Sequence, residues 1–146
     1  MCEFCNCRRF PEIARLGAEH DKIGLIADDI LDPPASGEAT TGELLRELRD
    51  HIEPHVSREE DGVFVQARSV GIAQNYWVED LESDHRRFAE ILERSESLTP
   101  DEIEAFLDDL HRHIAIEEYD LFPALARTLD DEDWAAIEQR LGNAGT

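Results

Sequence analysis

Cysteine is scarce in this sequence and confined to its start: the only three, Cys2, Cys5 and Cys7, fall within the first seven residues. No disulfide framework can therefore be expected to hold the interior, which fits a reducing compartment. Basic residues are scarce too, with 14 Lys and Arg against 35 Asp and Glu and a net charge of -21. A field of that sign repels phosphate backbones and anionic lipid, so neither nucleic acid nor a membrane is an expected partner. No apolar run approaches the roughly 20 residues that span a bilayer, and no apolar signal-peptide core follows the start. The expected location is cytoplasmic. Low-complexity segments are absent as well.

What is present suits one helical domain. The chain has 146 residues, of which 41% are hydrophobic and 34% charged, enough for a single sizeable core. We divide it into a cysteine-rich N-terminal segment, 1–10, and a helical domain, 11–146. The acidic residues are expected mostly to coat exposed helix faces, so net charge alone does not argue for metal.

Five segments carry helical periodicity. Pro11 suits a first turn, and Ile13, Leu16, Ile23, Ile26, Ala27 and Ile30 recur at helical spacing until Asp32-Pro33-Pro34 stops them. Thr40 with Glu43 signals the start of a second helix reaching about Ser69, in which Pro54 predicts a kink just before His55. A third runs from near Gln74 to near Ser95. Thr99, Pro100 and Glu102 open a fourth, which Pro123 would kink or end before Arg127. A short final helix, about Asp131–Leu141, carries Trp134, Ile137 and Leu141 on one face. Four long helices joined by short connections predict an all-α, up-down-up-down four-helix bundle with a short additional C-terminal helix.

The chain also repeats itself. A shift of 65 residues aligns Leu16 with Leu81, His20 with His85, Ile23 with Phe88 and Ile26 with Ile91. A shift of 58 aligns Leu48 with Phe106, His55 with His113, Glu59 with Glu117, Glu60 with Glu118, and Phe64 with Phe122. The pattern His-x3-Glu-Glu-x2-aliphatic-Phe thus occurs as His55–Phe64 and again as His113–Phe122, each copy preceded by one more histidine. A single His-x3-Glu on an acidic helix is commonly a solvent-facing pair. Two copies with phase-matched apolar partners are not.

His20, His55, His85 and His113 each fall near the middle of an expected helix, so antiparallel packing brings the four imidazoles to one level. The i, i+4 spacing sets Glu59 one turn from His55 and Glu117 one turn from His113, on the same faces. Imidazole and carboxylate together suit iron, manganese or zinc better than magnesium or calcium. Two glutamates on opposing helices can bridge two metals, with two histidines terminating each, and positions remain for a bridging oxygen and an external ligand.

This order, His20, His55-x3-Glu59, His85, His113-x3-Glu117 across four helices, resembles the hemerythrin-like (HHE cation-binding) domain over roughly residues 11–127. The resemblance implies two Fe ions in a non-haem, oxo- or hydroxo-bridged di-iron centre. Glu59 and Glu117 would be the bridges and His20, His55, His85 and His113 the terminal ligands. Oxygen-carrying hemerythrins have a further histidine one turn before that of the third helix, and here Leu81 stands there. The set is closer to that of bacterial members such as the iron-cluster repair proteins, which favours reactive oxygen or nitrogen species over reversible O2 transport.

The expected function is a di-iron protein that reacts with or senses O2, peroxide or nitric oxide. The alternative is an iron-handling module for storage, delivery or iron sensing without turnover, and the blandest reading is a purely structural bundle. No motif separates oxidase, peroxidase, nitric-oxide and sensor roles, because one ligand set serves them all. His51, one turn before His55, reads as a group orienting a ligand or lining a channel, ahead of a surface role or direct ligation. His111 points away from His113 and is expected to be exposed. Glu60 and Glu118 read equally as acceptors from an imidazole or as solvated acids, and Gly24 and Ala89 as room for a diatomic or as tight packing. For Cys2-x2-Cys5-x-Cys7 beside Arg8 and Arg9, a third metal, a redox-reactive terminus and no defined role all stay open.

Overall fold

The computed structural model describes residues 6–35, 37–72 and 76–145, and these are helical with no strand among them. In chain order the helices are α1 (Pro11–Leu31), α2 (Thr41–Asp61), α3 (Val63–Ser69), α4 (Tyr76–Glu93), α5 (Pro100–Ile116), α6 (Phe122–Thr128) and α7 (Asp131–Gly145). A 3-10 turn, Cys7–Arg9, precedes α1, and a π-helical segment, Glu117–Leu121, joins α5 to α6. Helix α1 packs against α2 and α5, and α4 packs against the same two from the other side. No helix among the described residues is long and apolar enough to cross a membrane.

The start signals act as their chemistry requires. The hydroxyl of Thr40 accepts from the Glu43 amide at 3.1 Å. Thr99 and Glu102 form a reciprocal capping box at α5, with Pro100 following the cap. The Pro11 start and the Asp32 stop of α1 fall as expected.

The second helix departs from expectation. α2 contains Pro54, as expected, but is interrupted at Gly62, short of the expected end near Ser69, and α3 resumes beyond it. A side chain at Gly62 would sit 2.9 Å from the Arg58 carbonyl and 3.1 Å from the Leu141 side chain, so the glycine admits close approach of α7. α7 also supplies partners for the interrupted backbone. Arg140 donates to the Asp61 carbonyl at 3.3 Å, the Gly62 carbonyl at 3.4 Å and Gln66 Oε1 at 2.7 Å.

In the second half of the repeat the corresponding stretch is the π-helical segment, where the Phe122 amide donates back to the Glu117 carbonyl. Pro123 lies just beyond. It has no N–H, and its ring crowds the carbonyl of the preceding turn, so a widened turn before it is a physical expectation. Both halves therefore depart from the regular α-helix near the Glu-Glu pair, the first just beyond it at Gly62 and the second from Glu117 itself.

Two apolar clusters make up the core. One gathers Ile13, Leu16, Val63, Phe64, Leu81, Leu121 and Phe122 with Ile137 and Leu141 of α7. The other gathers Ile23, Ile26, Leu48, Ile52, Phe88, Phe106 and Leu110. Leu81 is 1% exposed inside the first cluster and brings no donor to the site. Cys7, disulfide-bonded, is buried in that cluster too. Cys2 and Cys5 lie outside the described residues. Phe10 stacks on Trp134 with ring centroids 4.8 Å apart.

Replacing Arg140 by alanine should remove its bonds to the Gly62 break, which keeps only its backbone partners, and cost about 0.5–1.5 kcal/mol in urea unfolding of the metal-free protein. An unchanged midpoint would show that α7 does not stabilise this break.

Candidate metal centre

Six buried side chains meet between the two apolar clusters. His20, His55, Glu59 and Glu117 form one group, and Glu59, His85, His113 and Glu117 another, with one ligand atom of each residue within 4.8 Å of all the others in its group. Both glutamates belong to both groups and both are 0% exposed. These groups can hold metal ions.

The inward contacts obey a pseudo-two-fold relation. His20 Nε2 lies 3.0 Å from Glu117 Oε1, and its repeat partner His85 Nε2 lies 3.2 Å from Glu59 Oε1. His55 and His113 Nε2 each lie 3.3 Å from the glutamate one turn on, Glu59 and Glu117. Behind the histidines, His20 stacks on Phe122 at 5.7 Å and His85 on Phe64 at 5.5 Å. Each phenylalanine of the repeated motif thus braces the histidine of the other half.

The outward nitrogens face a second ring of acids. His55 Nδ1 donates to Glu19 at 2.7 Å, His85 Nδ1 to Glu60 at 3.2 Å, and His113 Nδ1 to Asp84 at 3.0 Å. His20 Nδ1 lies 3.6 Å from Glu118, an ion contact rather than a hydrogen bond. A carboxylate at Nδ1 fixes the tautomer and turns the Nε2 lone pair inward, as metal ligation requires. Of the flanking acids, Glu60 and Glu118 were open to this role in the sequence, whereas Glu19 and Asp84 were not recognised. The available signal is an acid directly before a site histidine in both halves, as Glu19-His20 and Asp84-His85.

Glu118 is held from outside by Arg8, whose Nη2 donates to its Oε1 at 2.7 Å. Arg8 also donates to Asp21 at 2.9 Å and to the Gly17 carbonyl at 3.3 Å. A Cβ at Gly17 would fall 2.6 Å from the guanidinium, so the glycine makes room for it. On the other side of the site, Arg58 grips Glu12 with two hydrogen bonds of 2.8 Å, tying α2 to α1 beside Glu59.

The charges compensate one another across this network. Burial opposes an imidazolium at His20, but Glu117 and Glu118 outweigh it and push the pKa up to about 9. His113, equally buried, is pushed up to about 10 by Glu117 and Asp84. His55 and His85 are raised against burial as well, chiefly by Glu59. Burial would raise Glu117, yet His113 and His20 hold it well below the usual carboxylate range. His85 Nε2 and His113 Nε2 lie 3.2 Å apart, so only one of them can carry an inward proton.

Both oxygens of Glu59, Glu117 Oε2 and His55 Nε2 are buried without a hydrogen-bond partner. A set of inward oxygen and nitrogen donors left unpaired in this way fits the demand of a cation. On the opposite face of the imidazoles is a small chamber of about 10 Å³, enclosed by Ile23, Ile52, Val56, Phe88, Leu110 and Ile114. His51 is half-buried and belongs to neither group, and His111 is exposed, donating Nδ1–H to the Leu107 carbonyl at 2.8 Å. Compared with protein-family models, curated proteins and solved structures, the chain matches none.

Metal loading should release protons at pH 7, because His20 and His113, with pKa values of about 9 and about 10, must give up a proton to ligate. Affinity should climb with pH through about 9 and about 10, where His20 and His113 lose their protons. Calorimetry in buffers of differing ionisation enthalpy measures this, and loading without proton uptake by the buffer would contradict it. Asp84→Ala, which removes the acceptor behind His113, should weaken metal binding about 10–100-fold with unchanged helix content by circular dichroism.

Proposed function

We propose that this chain is a non-haem di-iron protein, of the hemerythrin-like kind its motif resembles, which reacts with or senses O2, peroxide or nitric oxide. The helices that frame the site are compatible with an up-down-up-down four-helix bundle carrying α7 as its extra helix. The observation that carries the reading is the sharing of Glu59 and Glu117 between two buried donor groups, each completed by its own pair of histidines. A lone cation needs no such duplication.

In this reading His20 and His55 would hold one ion and His85 and His113 the other, while Glu59 and Glu117, members of both groups, would serve both. Mixed nitrogen and oxygen donors favour iron, manganese or zinc over magnesium or calcium. When bound, an iron pair supplies one-electron chemistry toward O2, peroxide or nitric oxide. The protein does the rest. The carboxylates at Nδ1 hold the imidazoles in the ligating tautomer and raise their basicity. Phe64 and Phe122 fix the ring planes of His85 and His20. The aliphatic residues over the chamber keep bulk water from the inward nitrogens and leave space only for something very small.

Anaerobic loading with iron(II) should give two iron ions per chain and raise the melting temperature, since a ligand at a hundredfold excess over its Kd adds about 2.7 kcal/mol. Glu59→Ala with Glu117→Ala should abolish both effects. Exposure of the loaded protein in turn to O2, peroxide and nitric oxide, followed by optical spectroscopy, then separates carriage from turnover and sensing. Wild-type protein that takes up no iron, together with an unshifted melting temperature in the double variant, would leave only a structural bundle.

A further inference from the structure

We propose that the seam between α2 and α4 is the access route to the site, that it admits an uncharged, apolar diatomic gas, and that Ile52 and Val56 are the wall the gas must pass. The inference rests on the di-iron reading and narrows its three candidate reactants.

A cavity of about 360 Å³ opens between the two helices, with Ser57 and Ala89 exposed at its mouth and Ile52, Leu92 and His85 buried at its floor. Ile52, Val56 and His85 also line the small chamber over the imidazoles. The outer cavity and the inner chamber are therefore back to back, and two β-branched side chains with few rotamers make up the apolar part of the partition.

The repeat supplies an internal comparison. His20, Gly24 and Ile114, on α1 and α5, are the counterparts of His85, Ala89 and Val56. At the α1 and α5 seam the acid behind the histidine, Glu118, is 7% exposed and pinned by Arg8. At the α2 and α4 seam the corresponding acid, Glu60, is 37% exposed. Arg8 of the N-terminal turn thus shields the acid behind His20, whereas the acid behind His85 stays more exposed.

The lining selects by hydration. Apart from His85, the inner partition offers no donor or acceptor, so an ion or a strongly hydrated molecule would lose its water contacts without replacement. Glu53 at the rim and the net charge of -21 add repulsion against anions. An apolar gas has almost no hydration to lose. O2 and nitric oxide meet that description, whereas peroxide, a strong hydrogen-bonding solute, does not.

Two measurements test this. Crystals of metal-free protein pressurised with xenon should show xenon in the α2 and α4 cavity of the wild type and none in Ala89→Trp. In iron(II)-loaded protein, stopped-flow association of nitric oxide should slow about tenfold or more in Ala89→Trp and speed up in Val56→Ala, within the one to three decades over which on-rates of related variants spread. Gly24→Trp, at the counterpart position where a Cβ meets nothing within 4 Å, should leave the rate unchanged. Hydrogen peroxide should react no faster in Val56→Ala than in the wild type. An unchanged nitric oxide rate in Ala89→Trp, or equal slowing in Gly24→Trp, would overturn the route. If the protein takes up no iron, the di-iron reading fails while xenon still decides whether the seam is permeable.

Discussion

Two carboxylates buried out of reach of water, Glu59 and Glu117, impose the order of everything around them. Taking an ion of this kind from water into a protein interior costs several kcal/mol even after relaxation, and the cost is recovered only by close, well-aligned opposite charge. Four imidazoles supply it from one side of each carboxylate. They in turn need negative charge behind them, which Glu19, Glu60 and Asp84 provide as hydrogen-bond acceptors and Glu118 as an ion contact. The chain of compensation ends at the surface, where Arg8 and solvent take over. A polar layer of this depth divides the apolar interior into two clusters, and each is anchored to it by an aromatic ring, through Phe64 and Phe122 below and Phe88 above.

The backbone carries its share of the same demand. Consecutive glutamates on a regular helix point about 100° apart. In both halves the first must face the centre while the second reaches a histidine on a neighbouring helix. The first half alters the helix at Gly62 and fills the gap with α7; the second widens one turn into a π-helical segment ahead of Pro123. Equivalent side chains are thus set beside unlike local irregularities, one at the residue with the fewest backbone constraints and one ahead of the residue with the most.

Much of this was legible in the sequence, for identifiable reasons. Hydrophobic period, Pro11 and the Thr99 capping box are local signals, and local signals fix helix starts. The convergence of His20, His55, His85 and His113 with the two glutamates could be read because residues at helix midpoints share a level when helices of similar length pack. The break in the second helix could not, because its cause at Gly62 is a contact with α7, far along the chain. A proline can be carried within a helix that packing supports, and Pro54 lies inside α2 as the sequence placed it. Glu19 and Asp84 were hidden among 35 acidic residues, most of them solvated. Arg8 was hidden differently: its partner Glu118 is distant in sequence, and nothing local announces the pairing.

The repeat is symmetric, but the two elements that flank it are not. On one side the turn before α1 sets Arg8 against Glu118, next to Glu117; on the other α7 sets Arg140 against the carbonyls that follow Glu59 and Glu60. Each half of the centre is therefore latched by a different arginine from outside the duplicated core. Both latching elements are also core elements, through Cys7 on one side and Ile137 and Leu141 on the other, and the stacking of Phe10 on Trp134 joins them, so a shift in either is felt in the core beside the carboxylates.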